Sequence, residues 1–223
     1  MRTLAPTLAV GSVKMRPPLG PPGLWTFPGD VRSLNLRLEM VKRSTEHLNK
    51  LNLGCGLKPI AGHVNLDVVA SVNPDVVHDL NVFPYPFPDN SFDEIRALDV
   101  VEHVTDLPGM MREIWRIARK DAIVEFTTPH FSCDNSYTDP THVRHLSSRS
   151  FYYFEKGHPF GFYGSDGFKV VQANIVFEPG LVNKVMHRIA ARWPRWYEAR
   201  LAWIFPAWFL WFQLRVCKDT LPR

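Results

Sequence analysis

The chain predicts an α/β fold, a mostly parallel sheet sandwiched by helices. Three observations carry that expectation. Short β-type runs alternate with stretches of helical spacing, the order that builds a parallel sheet. The first such run, residues 50–53, enters a glycine turn, Gly54-Cys55-Gly56. Eleven residues after Gly56, a second apolar run, Val64-Asn65-Leu66-Asp67, ends in a carboxylate.

Each element can be argued from its own residues. Residues 1–30 hold Arg2, Lys14 and Arg16 among many prolines, and Pro17-Pro18 and Pro21-Pro22 rule out a helix. Pro6 and Gly11 interrupt the weakly apolar stretch 4–13, so it lacks the continuous core of a signal peptide; a disordered lead is expected. Residues 31–48 are expected to be helical, with Leu34, Leu36, Leu38 and Val41 among Arg and Glu. Strand one spans 50–53. Pro59 and Gly62 leave any helix after it short or distorted. Strand two is expected over 64–68 and strand three over 75–78, ending at Asp79-Leu80. Tyr85-Pro86-Phe87-Pro88 is extended, because a residue before proline is pushed from helical geometry. Asp89-Asn90-Ser91 is a turn by composition, and 92–98 is strand four.

Thr105 or Asp106 can cap the next helix, with Pro108 early in it. Met110, Met111, Ile114, Trp115, Ile117 and Ala118 recur at helical spacing, and Arg119-Lys120-Asp121 end the helix. Strand five is expected over 122–127. Residues 130–150 are polar and irregular. A strand over 168–177, a helix over 182–192 and a last strand over 209–217 complete the pattern. The chain therefore divides into a lead, 1–30, and one domain, 31–223. The domain comprises a helix (31–48), a core (49–127), a loop region (128–166) and C-terminal strands with an aromatic helical insertion (167–223).

With 223 residues, 45% of them hydrophobic, the chain can build a sizeable core. A formal net charge of +4 permits an anionic substrate or a membrane surface and demands neither. No block of Lys and Arg interleaved with aromatics occurs, so nucleic acid is not an expected partner. The three cysteines are scattered with no C-x-x-C, which fits a reduced, cytoplasmic setting. The region 193–216 is rich in tryptophan: Trp193, Trp196, Trp203, Trp208 and Trp211. Its longest uncharged run, 201–214, is 14 residues, short of the roughly 20 a spanning helix needs. It reads either as a buried helix and strand or as an interfacial membrane contact, since Trp favours the headgroup level.

The glycine turn and Asp67 carry the first chemistry. Glycine lets a backbone turn sharply and approach a ligand. A strand-end carboxylate can accept from two ribose hydroxyls, although a plain turn cap would look the same. Together they suggest a nucleoside cofactor at the carboxyl ends of adjacent strands. A dinucleotide fold would use a similar turn, but the full G-x-G-x-x-G is absent because position 59 is Pro59.

The segments beyond the turn narrow the choice. Leu51-Asn52-Leu53-Gly54-Cys55-Gly56 is succeeded by Phe87-Pro88-Asp89-Asn90-Ser91-Phe92-Asp93-Glu94-Ile95 and by Ala97-Leu98-Asp99-Val100-Val101-Glu102-His103-Val104. An amphipathic helix and Ala122-Ile123-Val124-Glu125-Phe126 come next. This order resembles the class I S-adenosylmethionine-dependent methyltransferases, especially the small bacterial-type group, over residues 48–130 and more loosely beyond. The resemblance implies a Rossmann-like three-layer sandwich whose mostly parallel sheet has seven strands, the last antiparallel. It implies S-adenosyl-L-methionine as cofactor, with 49–127 as the cofactor-binding core and 128–166 on the acceptor side. Leu53, Gly54, Cys55 and Gly56 would lie along the methionine part and Asp67 on the ribose. Asp79 would accept from the adenine amine and Leu80 touch the ring. Leu98 and Asp99 would face the methionine end.

Four histidines are candidate catalytic groups: His103, His130, His142 and His145. His103 either faces the transfer site or caps and packs. By resemblance, the segment after strand five overhangs the methyl group, and it holds His130, Asp139, His142, Arg144 and His145. Histidine titrates near neutrality and suits a general base for a hydroxyl. Asp139-x-x-His142-x-x-His145 could also be read as zinc ligands, but the spacing is loose, loop anchoring is an alternative, and no metal is expected. Tyr137, Phe151, Tyr152, Tyr153 and Phe154 are pocket wall or core.

The sulfonium of the cofactor already makes its methyl group electrophilic, so the protein supplies orientation and exclusion of water. Orientation alone can supply about 7–11 kcal/mol. A base is needed only when the acceptor must lose a proton, so a histidine-rich overhang leans toward oxygen. The expected acceptor is a small molecule or a glycan, free or lipid-linked. The rival readings are a non-catalytic S-adenosylmethionine-binding module and a nucleotide-cofactor oxidoreductase.

Overall fold

The computed structural model describes residues 49–159 and 167–218. The expected lead at 1–30 and helix at 31–48 lie outside the described residues. Seven strands form one sheet: β1 (Lys50–Leu53), β2 (Val64–Asp67), β3 (Val76–Val77), β4 (Phe92–Leu98), β5 (Ala118–Pro129), β6 (Phe168–Val176) and β7 (Phe209–Val216). Their order is β3-β2-β1-β4-β5-β7-β6. The first five strands are parallel. β7 runs antiparallel to both neighbours, β5 and β6. The sheet is therefore mostly parallel, as the α/β reading expects.

The register aligns the strand ends. Leu53 of β1 stands level with Leu66 of β2 and Ala97 of β4, and Asp67 with Val77 of β3. Leu98 stands level with Thr127 of β5. The carboxyl ends of five parallel strands thus share one rim. Their interiors carry near-continuous apolar runs, as strands covered on both faces require: Leu51, Leu53, Leu66, Ile95, Ala97, Val124 and Phe126 have no exposed surface.

Helix α1 (Leu107–Ile117) begins where Asp106 Oδ1 accepts from Gly109 N at 2.8 Å, with Pro108 in its first turn. Met110, Met111, Ile114 and Ile117 form its fully buried face. Arg116 fixes the extended segment before β4, donating to Tyr85 O, Phe87 O, Asp89 and Glu113 at 2.7–3.0 Å. Phe151 stacks on Phe126 at 4.5 Å and meets Phe212 of β7 at 4.7 Å, so it is core. Each such side chain contributes about 1.5–3 kcal/mol by burial.

Three expectations need correction. No helix forms after the glycine turn: residues 54–63 are turns, with Gly62 at φ 77°, and Pro59 withholds a donor. Helix α1 stops at Ile117, and residues 118–121 belong to β5 instead. There Ala118 pairs with Phe92, Arg119 holds Asp93 at 2.6 Å and Asp121 takes φ 63°. Strand three is only two residues long. The polar stretch 130–150 is mostly irregular, containing the single turn of helix α2 (Asn135–Thr138) and leading into a 3₁₀ turn at Ser150–Phe154.

The expected helix after β6 is α3 (Leu181–Arg192), followed by α4 (Pro194–Arg200). The two readings of the tryptophan-rich region divide between its halves. In β7, Leu210, Phe212 and Leu214 are fully buried. Around α4, Trp193, Trp196, Trp203 and Ile204 each expose more than half their surface.

Candidate functional site

Order reverses between β1 and β4: the chain builds β1, β2 and β3 outward on one side, then returns to lay β4 and β5 on the other. Open parallel sheets bind ligands at such a reversal, outside the carboxyl ends of the strands.

The glycine turn stands there. Gly54 (φ 64°) passes so near the turn after β4 that a Cβ would lie 2.5 Å from Val100 Cγ2. Gly56 (φ 48°) has open space where a Cβ would project. Cys55 N donates to Leu66 O at 3.0 Å, tying the turn to β2. The Cys55 side chain is buried, and burial, reinforced by the charge of Asp67, pushes its thiol pKa up. That environment suits packing rather than nucleophilic attack. Leu53 is fully buried beneath the turn.

Asp67 closes the turn from the other side. Its Oδ2 accepts from Gly56 N at 2.7 Å and its Oδ1 from Val69 N at 2.9 Å. Each oxygen keeps a further lone pair. Val68 and Val69, next in sequence, are 59% and 47% exposed, and Leu57 is 88% exposed. Apolar surface thus lies open beside a carboxylate.

Asp79 Oδ1 accepts from the backbone and side-chain nitrogens of Asn81 at 2.8 and 3.1 Å. Leu80 is largely buried, and its carbonyl accepts from the Tyr85 hydroxyl at 3.0 Å. Asp99, just past Leu98 at the end of β4, takes φ 56°. Its N–H donates to Thr127 O at 3.0 Å, and its Oδ1 accepts from Thr127 Oγ1 at 2.9 Å.

The four histidines separate. His103 and His142 meet with ring centroids 4.6 Å apart. Val143 N, donating to Glu102 O at 2.9 Å, zips the loop to the turn after β4. Thr141 Oγ1 donates to Asp139 Oδ1 at 2.7 Å and so accepts from His103 Nδ1 at 2.8 Å. His142 Nδ1 lies 3.2 Å from Ser136 O, a pure acceptor. Both Nδ1 atoms are therefore assigned as donors, and both Nε2 atoms carry lone pairs.

His145 points elsewhere: exposed, it stacks on Tyr137 at 4.1 Å and bonds Ser136 Oγ. His130 has no exposed surface; its Nδ1 lies 2.8 Å from Ser132 Oγ and its Nε2 3.5 Å from Glu198 Oε1 of α4. That environment anchors the loop and offers an acceptor no access. Asp139 is engaged with Thr141, so the 139–142–145 trio does not converge.

Glu102 is the group that sequence reasoning passed over. It is 2% exposed, and Oε2 has no hydrogen-bond partner. Burial, reinforced by the charges of Asp99 and Asp139, pushes its pKa up to about 7. An available signal was its place among Val100, Val101 and Val104, all buried. Val68 was missed likewise; its signal was an apolar residue directly after a strand-end acid. A cavity of about 500 Å³ opens at the opposite end of the strands, lined by Asn49, Lys50, His63 and Asp75 among others. The groups described above all lie at the other rim, where the chemistry converges.

The family described as methyltransferase domain matches residues 9–126 of the chain. The fold is similar to a SAM-dependent methyltransferase from Archaeoglobus fulgidus, with 14% identity and TM-score 0.52, over 85% of this chain and 96% of that one. It is similar to the YcgJ protein of Bacillus subtilis, with 14% identity and TM-score 0.50, over 83% and 99%. A sarcosine dimethylglycine methyltransferase assigned in Galdieria sulphuraria is 16% identical with TM-score 0.50, over 85% and 88%. No curated protein sequence matches the chain significantly.

Proposed function

This chain belongs to the methyltransferase domain family, and we propose that it moves the methyl group of S-adenosyl-L-methionine to a hydroxyl oxygen of a small-molecule or glycan acceptor. The protein is an S-adenosylmethionine-dependent methyltransferase; the acceptor and its atom are the proposed part. One observation supports oxygen above all: His103 and His142, each with Nε2 free to take a proton, meet beside the end of β4. A hydroxyl must shed its proton as it attacks a methyl group, and such a pair can receive it.

On the cofactor side, Asp67 would hold the ribose hydroxyls with its remaining lone pairs, and Val68 would cover the adenine. Gly54, Gly56 and Asp99 would border the methionine portion. Leu53, Cys55 and Leu80 would support that cradle from beneath, through packing. Leu98 would complete the rim, and Asp79 would accept from the adenine amine. His130 and His145 would hold the loop that carries His142. The exposed tryptophans around α4 support a lipid-linked acceptor met at a membrane surface.

Calorimetric titration with S-adenosylhomocysteine tests the cofactor assignment. Micromolar binding to the wild type is expected, weakened at least tenfold in Asp67→Asn, with NAD not bound. Failure of the folded protein to bind, or a preference for NAD, would overturn it. Turnover on hydroxylated acceptors tests the rest. Tight cofactor binding with no transfer to any acceptor would favour a non-catalytic binding module.

A further inference from the structure

We infer that Glu102, His103 and His142 form a binding site for one divalent transition-metal ion, set beside the cofactor cradle. Three independent features converge on it. One potential ligand atom from each of these residues, an imidazole nitrogen or a carboxylate oxygen, lies within 4.8 Å of the others. Both imidazoles are fixed with Nδ1 donating outward, to Thr141 Oγ1 at 2.8 Å and to Ser136 O at 3.2 Å. Such outer bonds orient ligating histidines and fix their tautomers. The lone pairs are then on Nε2. Finally, Glu102 is 2% exposed and its Oε2 has no partner. A buried carboxylate oxygen without a partner is costly, and a cation would satisfy it.

The geometry fits with side-chain adjustment. Tetrahedral ligands about 2.1 Å from an ion lie about 3.4 Å apart. The trio therefore has to draw together by up to about 1.4 Å, a movement that side-chain rotation of the two half-buried histidines can supply. The loop is already tied to the turn by the Val143–Glu102 backbone bond. Beyond the ligands, Asp139 receives both the hydroxyl and the N–H of Thr141, at 2.7 and 2.8 Å. A carboxylate thereby lies behind His103 through one hydroxyl, the outer arrangement that raises ligand basicity.

Donor chemistry selects the ion. Two imidazoles and one carboxylate suit zinc, iron, cobalt or manganese better than magnesium or calcium, which favour all-oxygen sites. Three protein ligands leave at least one position open, the mark of a catalytic rather than a structural site. What the ion would do rests on the proposed function; that it binds rests on geometry alone. With the ion bound, the two Nε2 lone pairs are ligands and no longer take the proton themselves; an acceptor oxygen in the open position would instead have its hydroxyl pKa lowered by the ion. The proton leaves to solvent, an oxygen lone pair forms the new C–O bond, and the S–CH₃ bond breaks with its electrons passing to sulfur. The products are the methyl ether and S-adenosylhomocysteine.

The test uses the tag-free full chain after chelator treatment, titrated separately with Zn²⁺, Co²⁺, Mn²⁺ and Mg²⁺. One ion per chain is expected for Zn²⁺ and Co²⁺, the latter with visible ligand-field absorption, and much weaker binding for Mg²⁺. His142→Ala and Glu102→Gln should each weaken Zn²⁺ at least tenfold and alter the Co²⁺ spectrum, while His187→Ala on α3 leaves both unchanged. S-adenosylhomocysteine titration of the same variants reports whether they remain folded. Absent binding, or stoichiometric binding that neither variant weakens, would overturn the site. If the cofactor analogue binds and metal does not, this inference fails and the proposed function stands; the reverse pattern leaves the site and removes the methyltransferase assignment.

Discussion

Gly54 and Gly56 occupy one turn for different physical reasons. At Gly54 a side chain would collide with Val100 in the turn after β4, and the backbone also has positive φ. At Gly56 only the backbone angle resists a side chain, and the space outside is open. Gly54→Ala should therefore destabilise the fold by about 1–3 kcal/mol through overpacking and strain. For a chain of this size that lowers the thermal midpoint by about 2–4 °C per kcal/mol. Val100→Ala in the same chain should recover part of the loss, a coupling readable by a double-mutant cycle. Gly56→Ala should lower the midpoint by about 2–8 °C, since left-handed geometry costs about 1–2 kcal/mol, with no recovery from Val100→Ala, and weaken S-adenosylhomocysteine binding. A Gly56→Ala protein that binds the analogue at full strength would detach this turn from the cofactor. The glycine pair and Asp67 were legible because their spacing reflects a short-range backbone demand. Glu102 was harder to read, because beyond its valine neighbours the group that ties it down, Val143 N–H, comes from a loop far later in the chain.

At the scale of elements, the loop after β5 is fastened by its contact with α4. Glu198 Oε1 accepts from Ser148 N at 2.6 Å and lies 3.5 Å from His130 Nε2. Burial raises the Glu198 pKa, but the His130 imidazole beside it and the hydrogen bond from Ser148 N outweigh it and hold the carboxyl below its ordinary value. A depressed folded-state pKa stabilises above the unfolded value and ceases to do so as pH falls through the folded one. The contribution is thus complete above about pH 4.5 and disappears on the acid side of it. Glu198→Ala should cost about 1–3 kcal/mol near neutrality, because buried partners are left unpaired. Thermal melts at pH 7 and pH 3.5 check this, the difference from wild type shrinking at the lower pH. An equal loss at both would show that packing rather than charge is at stake. Sequence reasoning found β1, β2, β4, α1, β6, α3 and β7 from periodicity. It lost the α1–β5 boundary because 118–121 is polar like a helix end, and only pairing with Phe92 and Asp93 makes it strand. It pooled His130, His142 and His145 because residue type cannot show which ring the chain folds inward.

Across the whole molecule, the mostly parallel sheet followed from the alternation of elements, while its seven strands with the last antiparallel came through the family resemblance; the insertion of β7 between β5 and β6 is seen only in the structure. No helix among the described residues is long and apolar enough to cross a membrane. On the proposed lipid-linked reading, the exposed Trp193, Trp196, Trp203 and Ile204, with the Arg192 guanidinium 5.3 Å from the Trp193 ring, would meet lipid headgroups. The chain should therefore pellet with vesicles containing anionic lipid, and replacing the three tryptophans with alanine should release it. Equal pelleting by both proteins would remove the membrane from this picture. The position of β7 also bears on how the protein is made. β6 leaves the ribosome before its sheet neighbour exists, and β5 waits with an open edge for the same partner. Both edges expose unpaired backbone and apolar side chains until residues 209–216 emerge, the condition in which strands pair with the wrong chain. Translation that stalls or terminates before that point leaves an aggregation-prone nascent chain, so β7 is the strand that makes the earlier ones safe to release.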